Sequence, residues 1–159
     1  MKLEYQSIIE ESSIILTNFN CEPAQQLLKS KGYYKILWTK DHECTITIDS
    51  YQVHLKQHQI VFCTTLNELE IPKQSGIIAI AFNREFYCIR DHDHEVSCNG
   101  ILFFGSSQPP IITLKHTDIH SFEAMFIIFK EEFGTKDHVQ GEMLRVILKR
   151  LLIKSSRLI

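Results

Sequence analysis

The stretch YYKILWTKDHECTITIDSYQVHLKQHQIVFCT, residues 33–64, decides the fold class of this chain. It is rich in β-branched and aromatic residues, and polar turn-forming residues interrupt its apolar runs at short intervals, which is typical of short strands. The Asp49-Ser50 step predicts a tight hairpin, because aspartate tolerates turn dihedral angles and its side chain bonds to nearby amides. A second hairpin is expected to turn at residues 56–58. The stretch therefore predicts four strands, at Tyr33–Thr39, Cys44–Ile48, Tyr51–Leu55 and Ile60–Thr64.

The same signals extend outward from this stretch over residues 12–114. Apolar and β-branched runs recur there between Gly, Pro, Asn or Asp residues, and they predict four more strands. These strands are Ile14–Phe19, Gly76–Phe82, Ile101–Phe104 and Ile111–Leu114. Eight short strands suit a small closed barrel.

Beyond Leu114 the apolar spacing becomes helical. One predicted helix has Thr117 as its N-cap and ends at Gly134, and a second runs from about Lys136 to Arg157. Their short connection makes the pair antiparallel. The face of the first helix is marked by Ile119, Phe122, Phe126, Phe129 and Phe133. The expected fold is one domain, mainly β with C-terminal α: a β-barrel over residues 12–114 and a helical hairpin over residues 117–158.

The second predicted helix carries an apolar stripe that is too wide for a strict coiled-coil seam. One part of the stripe can pack on the preceding helix, and the remainder is available for the barrel or for a second chain. If four such side chains were buried only in a dimer, each would add about 1.5–3 kcal/mol before association costs. We therefore expect a homodimer whose interface contains Met143, Ile147, Leu148, Leu151 and Leu152.

Charge and cysteine usage restrict the class of protein further. Seventeen basic and nineteen acidic side chains give a formal net charge of −2, whereas a domain that grips phosphate backbone by itself usually has a positive excess. The five cysteines are scattered without a CxxC pair, which favours reduced thiols and a cytoplasmic location. No segment approaches the roughly 18 apolar residues of a membrane span, and the first residues lack the apolar run of an export signal.

Three segments resemble the N-terminal part of AraC-type transcription regulators of the Bacteroidetes type. They are YYKILWTKDHECTITID (33–49), AFNREFYCIRDHDHEVSCNGILFFGSS (81–107) and QGEMLRVILKRLLIKSSRL (140–158). The resemblance implies a cupin-like, jelly-roll barrel that holds a small effector, followed by helices that support dimerisation. In that family a separate C-terminal domain with two helix-turn-helix motifs binds DNA, and by this resemblance the chain ends before it. The implied function is effector sensing and dimerisation, without catalysis and without a cofactor.

The barrel interior is the expected effector site. An apolar barrel cavity needs aromatic and aliphatic walls, and side chains of one face alternate along each strand. The candidate lining is Tyr34, Ile36, Trp38, Ile46, Ile48 and Val53. A fully packed core at these positions is an equally good interpretation.

A histidine-rich run, Asp91-His92-Asp93-His94-Glu95, offers imidazole and carboxylate ligands at alternating positions, which suits a transition metal. Metal-dependent cupins place an HxH on a barrel strand, whereas the corresponding segment here, Trp38–Cys44, has one histidine. A solvated loop is therefore favoured for the run, and no metal site is predicted. His54 and His58 lie on a strand and a turn, where a spacing of four does not place them on one face, so surface positions are favoured.

Catalytic and nucleotide-binding sites have little support. No signature pairs a cysteine with a histidine, and all six glycines are isolated, which excludes a glycine-rich phosphate loop. Two alternative functions stay open: a stand-alone metal-dependent cupin enzyme, and a dimerisation module with no ligand. The basic end of the second helix also has an alternative as a membrane-surface helix, although a solvated face is favoured.

Overall fold

The computed structural model describes residues 1–89, 102–103 and 108–159. Within these ranges, nine strands and three helices have defined bounds. The strands are β1 (Lys2–Ser7), β2 (Ser12–Thr17), β3 (Tyr33–Thr39), β4 (Cys44–Ile48), β5 (Tyr51–Leu55), β6 (Gln59–Cys63), β7 (Leu69–Glu70), β8 (Ile77–Asn83) and β9 (Ile111–Thr113). The helices are α1 (Glu22–Leu27), α2 (His116–Phe133) and α3 (Gln140–Ser156).

The strands form two antiparallel sheets. The larger sheet has the order β1-β2-β8-β3-β6-β9, and the smaller has the order β5-β4-β7. Strand β3 lies inside the larger sheet, where Leu37 is opposite Ala79 of β8 and Val61 of β6. The protein is therefore a mainly β, barrel-like domain followed by a helix pair, as the sequence predicts.

Two separate apolar cores cover the two faces of the larger sheet. The helix-facing core lies between this sheet and the α2–α3 pair, and it includes Trp38, Phe62 and Phe122. The inter-sheet core lies between the two sheets, and it includes Leu37 and Ile46. Because successive side chains of a strand point to opposite faces, β3 contributes alternately to both cores.

The helix pair agrees with the predicted hairpin, but its ends differ. Thr117 is not the N-cap of α2: Lys115 is, and its backbone amide donates to the Asp118 carboxylate at 3.2 Å. Gly134 follows the last residue of α2, with a right-handed φ of −85°, so it does not have the left-handed conformation of a C′ glycine. Helix α3 begins at Gln140, four residues later than predicted, and the Gln140 side chain donates to the carbonyls of Glu132 and Phe133 at 3.0 and 3.2 Å.

Strands β3, β4 and β5 have the predicted bounds, whereas other parts of the prediction are wrong. The expected strand Ile101–Phe104 fails, since Leu102 and Phe103 are helical; the two flanking residues lie outside the described ranges. The expected hairpin at 56–58 also fails, because β5 and β6 belong to different sheets and the chain crosses between them there. Elements β1, β7 and α1 have no counterpart in the prediction.

Candidate ligand cleft and self-association face

The six residues of the predicted effector lining do not share one cavity. Tyr34, Ile36 and Trp38 lie in the helix-facing core, whereas Ile46, Ile48 and Val53 belong to the inter-sheet core or pack against it. The expectation of a common lining is therefore corrected. It assumed that these side chains face one closed interior, but the larger sheet separates the two sets.

The helix-facing set is packed against protein side chains. The rings of Tyr34 and Phe82 stack with their centroids 5.3 Å apart, and Trp38 approaches Phe126 at the same distance. Trp38 is fully buried. Among the residues that the structure describes, its indole Nε1 has no hydrogen-bond partner, and neither does the nearby buried Nδ1 of His58. This side of β3 is thus filled by aromatic side chains from α2 and the sheet.

A cleft of about 550 Å³ opens between the edges of the two sheets. Strands β4 and β5 supply one wall, with Ile48 and Val53, and strands β6 and β9 supply the other, with Val61 and Ile111. The volume is in the range of small-molecule sites, and apolar walls with a few polar groups are typical of them. Two residues of the predicted lining, Ile48 and Val53, therefore reach a cleft.

The polar end of the cleft is fixed by Asp49. Asp49 and Ser50 have positive φ values of 50° and 74°, which confirms the predicted tight turn between β4 and β5. The Asp49 carboxylate accepts from the Asn67 side-chain amide at 2.6 Å and from the Glu68 backbone amide at 2.8 Å. The Asn67 side-chain oxygen in turn accepts from the Thr64 amide at 2.8 Å. These bonds hold the polar end in one geometry.

Two residues at the cleft are available to a ligand. Tyr51 and Gln52 line it, and their side chains form no hydrogen bond to any residue that the structure describes. Their hydroxyl and amide groups can donate and accept hydrogen bonds. The sequence predicted Asp49 as a turn residue only and gave no role to Gln52 or Asn67. Local patterns could not show that Asn67 bonds to Asp49, because the two residues lie in segments that are distant in sequence.

A buried lysine lies on the inter-sheet side of β3. Lys35 is directly opposite Cys63 of β6, is fully buried, and donates from Nζ to the Ser30 carbonyl at 3.3 Å. Burial lowers the pKa of Lys35, an effect that Cys63 partly opposes. Burial raises the pKa of the Cys63 thiol to about 12, so Cys63 stays protonated at neutral pH and is a poor nucleophile.

The predicted dimer residues divide into a buried group and an exposed one. Four of them lie in the helix-facing core of their own chain: Ile147, Leu148, Leu151 and Leu152. The fifth, Met143, is 46% exposed. The expectation that the four core residues are left for a partner is therefore wrong, because they pack on the chain's own sheet.

A different set of side chains forms the outer face of the helix pair. On one side of α3, Met143, Val146 and Arg150 are exposed and Ile153 is half-buried, and exposed Arg157 follows the helix directly. Their alternating spacing of three and four residues matches a coiled-coil seam. The neighbouring helix α2 adds exposed Ile127 and Ile128. We define these seven residues as the outer helical face.

Comparisons with known proteins give similarities in structure but none in sequence. No protein-family model matches the chain. No curated protein matches it in sequence. The chain is similar in structure to an AraC-like transcriptional activator. That similarity is to the crystal structure of the AraC-like transcriptional activator CuxR, with a TM-score of 0.49 and 6% sequence identity over 93% of this chain and 49% of that chain. The chain thus spans about half the length of CuxR.

The remaining sequence candidates are His54, His58 and the histidine-rich run. The run Asp91–Glu95 lies outside the described residues. His54 is exposed, bonds Thr45 Oγ1 at 2.9 Å and lies 3.4 Å from a Glu43 carboxylate oxygen. In the described ranges, no three His, Cys, Asp or Glu residues are placed to hold a metal ion. The described helices include none that is long and apolar enough to cross a membrane.

Proposed function

We propose that this chain is the regulatory module of an AraC-type transcription regulator, in which a small effector binds the inter-sheet cleft and two copies associate through the outer helical face. Its state would be relayed to a DNA-binding domain, which the resemblance places after this part of the protein. The role is one of binding and relay and not of catalysis. A location in the cytoplasm suits such a regulator.

One observation carries this proposal: strand β9 lines the cleft and leads directly into α2. Ile111 of β9 lies in the cleft wall, and the next residue, Ile112, lies in the helix-facing core. Leu114, which follows β9, lies in the same core, and its amide donates to the His58 carbonyl at 2.9 Å. A ligand that displaces Ile111 therefore acts within a few residues on the packing of α2.

The relay requires that the effector bind two arrangements of the helix pair with different affinity. The position of Ile112 in the core that the helices cover provides a physical basis for that difference, because side chains packed in a core have few alternative positions. A small displacement of side chains by the effector at the cleft would then shift the equilibrium between two packed arrangements of the helix pair.

The cleft indicates the chemistry of the effector. Its walls are apolar, and the free hydrogen-bonding groups of Tyr51 and Gln52 lie with Asp49 around it. The Asp49 carboxylate is already bonded to the Asn67 side chain and to the Glu68 amide, so it serves to shape the site. A small molecule with an apolar body and hydroxyl or amide groups fits this arrangement.

The test is a thermal-shift screen with metabolite pools, followed by calorimetric titration of the hits. Val53→Trp fills the cleft from β5, and Val139→Trp is the matched control, because Val139 is exposed and lies outside both the cleft and the outer helical face. An effector present at 100 times its Kd should stabilise the wild type and Val139→Trp by about 2.7 kcal/mol. It should leave Val53→Trp unshifted, and equal stabilisation of all three proteins would place the ligand elsewhere.

A second candidate function is a dimerisation module with no effector. The observation in its favour is the dense aromatic packing around Trp38, with Phe122 and Phe126 at ring-centroid distances of 6.3 and 5.3 Å. It predicts association without any thermal shift in the metabolite screen. The metal-dependent cupin alternative depends on Asp91–Glu95, and stoichiometric iron, zinc or manganese in the purified protein would support it.

A further inference from the structure

The hairpin between β1 and β2 ends in an unusually exposed apolar tip. Ile8 and Ile9 are 89% and 96% exposed, more than any other large apolar side chain in the described residues. Glu10 and Glu11 follow them directly. We call residues 8–11 the hairpin tip; two adjacent exposed isoleucines next to two carboxylates are typical of a surface that binds a partner.

A groove of complementary chemistry lies on the C-terminal half of α3. Val146 and Ile153 are apolar residues in this groove of about 300 Å³, and Arg150, Lys154 and Arg157 add positive charge. None of these three cations forms an ion pair with a residue that the structure describes. We call these five residues the basic groove.

We infer that the basic groove of one chain receives the hairpin tip of a second copy. The apolar part of the tip matches the groove's valine and isoleucine, and the Glu11 carboxylate matches the three cations, since Glu10 is paired with Arg145 of its own chain. This inference rests on the proposed self-association, for which it names the contacting surfaces.

Charge explains why the helices alone are a poor dimer surface. Glu142 is the only acidic residue of α3, and it is bonded to Arg145 at 2.8 Å. Two antiparallel α3 helices related by a two-fold axis at Arg150 would bring the Arg150 side chains of both copies together, and like charges at an interface are destabilising unless an acidic group lies beside them. Glu11, which has no ion-pair partner among the described residues, would supply the missing negative charge.

The position of the tip on its own chain suits a reciprocal dimer. Glu10 accepts a hydrogen bond from Arg145 Nη2 at 3.0 Å, and this ion pair holds the tip beside the N-terminal half of α3. In two antiparallel α3 helices related by a two-fold axis at Arg150, Arg145 of one copy lies beside Ser155 of the other. Each tip then reaches the C-terminal half of its partner's helix, so the dimer contains two identical contacts, as two-fold symmetry requires.

The variants separate the two sides of the contact. Ile8→Ser with Ile9→Ser disrupts the tip, and Arg150→Glu with Arg157→Glu disrupts the groove. Leu66→Ser is the matched control, because Leu66 is also exposed, at 74%, but lies in neither surface. Circular dichroism melting checks that each variant folds, and sedimentation velocity over a concentration series gives the dimer dissociation constant.

We expect the wild type and Leu66→Ser to dimerise alike. Each double variant alone should dimerise at least about 100-fold more weakly, since it loses both contacts. A mixture of the two variants should recover dimers, because the intact tip of one fits the intact groove of the other. A dimer formed by the helices alone would leave the tip variant as strongly dimeric as the wild type, so weak dimerisation of the tip variant alone, followed by recovery in the mixture, identifies the hairpin contact.

Two results would overturn the inference, and they are distinguishable. A wild type that dimerises while the tip variant dimerises equally well refutes the hairpin contact and leaves self-association through the outer helical face in place. A wild type that stays monomeric up to millimolar concentration refutes self-association itself.

Discussion

Replacing the buried Lys35 by methionine should stabilise the protein at neutral pH. The side chain of Lys35 is fully buried on the inter-sheet side of β3, and Nζ has one hydrogen-bond acceptor among the described residues, the Ser30 carbonyl. Methionine has a similar length and no charge to desolvate. Replacing a buried ion pair with well-packed apolar residues of similar volume is often neutral or stabilises a protein by about 1–4 kcal/mol, and Lys35 has no ion-pair partner among the described residues that would be lost.

The stability difference between Lys35→Met and the wild type should depend on pH, in a direction set by the pKa shift of Lys35. Burial lowers the pKa of Lys35 in the folded protein, so between that lowered pKa and the ordinary lysine value the unfolded chain binds more protons. The free energy of unfolding of the wild type therefore rises with pH across this interval, and the cost of the charge is fully present below it. The advantage of Lys35→Met should be largest at neutral pH and should shrink as the pH approaches 10.5.

A neighbouring group titrates with the opposite sign. The pKa of Cys63 is raised from 9.0 to about 12 by burial, so the folded protein holds this proton longer than the unfolded chain does. Above pH 9 this effect lowers the stability of both proteins, and most of it cancels when wild type and Lys35→Met are compared at the same pH. The difference between the two proteins therefore reports mainly on Lys35, with a smaller contribution from the loss of its charge beside Cys63.

The assay is urea denaturation of both proteins from pH 7 to pH 10, with Lys40→Met as the control. Lys40 is exposed, so its replacement should change the free energy of unfolding by no more than about 0.5 kcal/mol. For a chain of this size, each kcal/mol gained corresponds to about 2–4 °C in Tm. A Lys35→Met protein that is less stable than the wild type at pH 7, with a difference independent of pH, would refute the reasoning and show that the bond to Ser30 outweighs the burial of the charge.

Two further predictions concern packing and thiol chemistry. Gly141→Ala should destabilise the protein by about 1–3 kcal/mol in thermal melts, despite the better helix propensity of alanine. The reason is that the added Cβ would overlap the Tyr5 hydroxyl and lie 2.8 Å from the Tyr5 Cζ. Adding Tyr5→Leu should restore most of the lost stability, and an unchanged loss would exclude the clash as its cause. Cys63 should resist alkylation at pH 8 in the native protein and react in urea, because it is fully buried with a pKa of about 12. Half-buried Cys21 should react under both conditions. Mass spectrometry of the labelled peptides measures the extent of alkylation, and rapid labelling of Cys63 in the native protein would contradict its burial.

Local patterns were sufficient to predict several elements with accurate bounds. Strands β3, β4 and β5 agree because alternation and turn chemistry act over a few residues, and the left-handed φ values of Asp49 and Ser50 confirm the hairpin between two of them. Strand β1 was missed because its sequence, KLEYQS, is largely polar and it lies at the sheet edge, where pairing with β2 supplies the stability. Helix α1 is only six residues long, too short for a clear helical period.

The division into two cores depends on contacts between distant segments, and the sequence predicted it incorrectly. Trp38 and Ile46 were expected to line one interior, yet they lie on opposite sides of the larger sheet. The run YYKILWT did contain a signal, because a strand covered on both faces has apolar residues at consecutive positions and not only at alternating ones. That signal identifies β3 as internal but does not say that helices cover one face and a second sheet the other.

Contacts between distant segments also explain why four of the predicted dimer residues are buried in their own chain and why other α3 side chains are exposed. A helix that packs on its own sheet buries its widest apolar stripe first, and Leu148, Leu151 and Leu152 are fully buried in that way. What remains for a partner is a second stripe of three apolar residues and two arginines, from Met143 to Arg157. In a sequence this second stripe resembles a solvated face, since its charges lower its apparent hydrophobicity. Only the burial pattern of the structure distinguishes the two stripes. The exposed stripe is positively charged and is therefore complementary to an acidic surface, and in our inference the hairpin tip of a second copy is that surface.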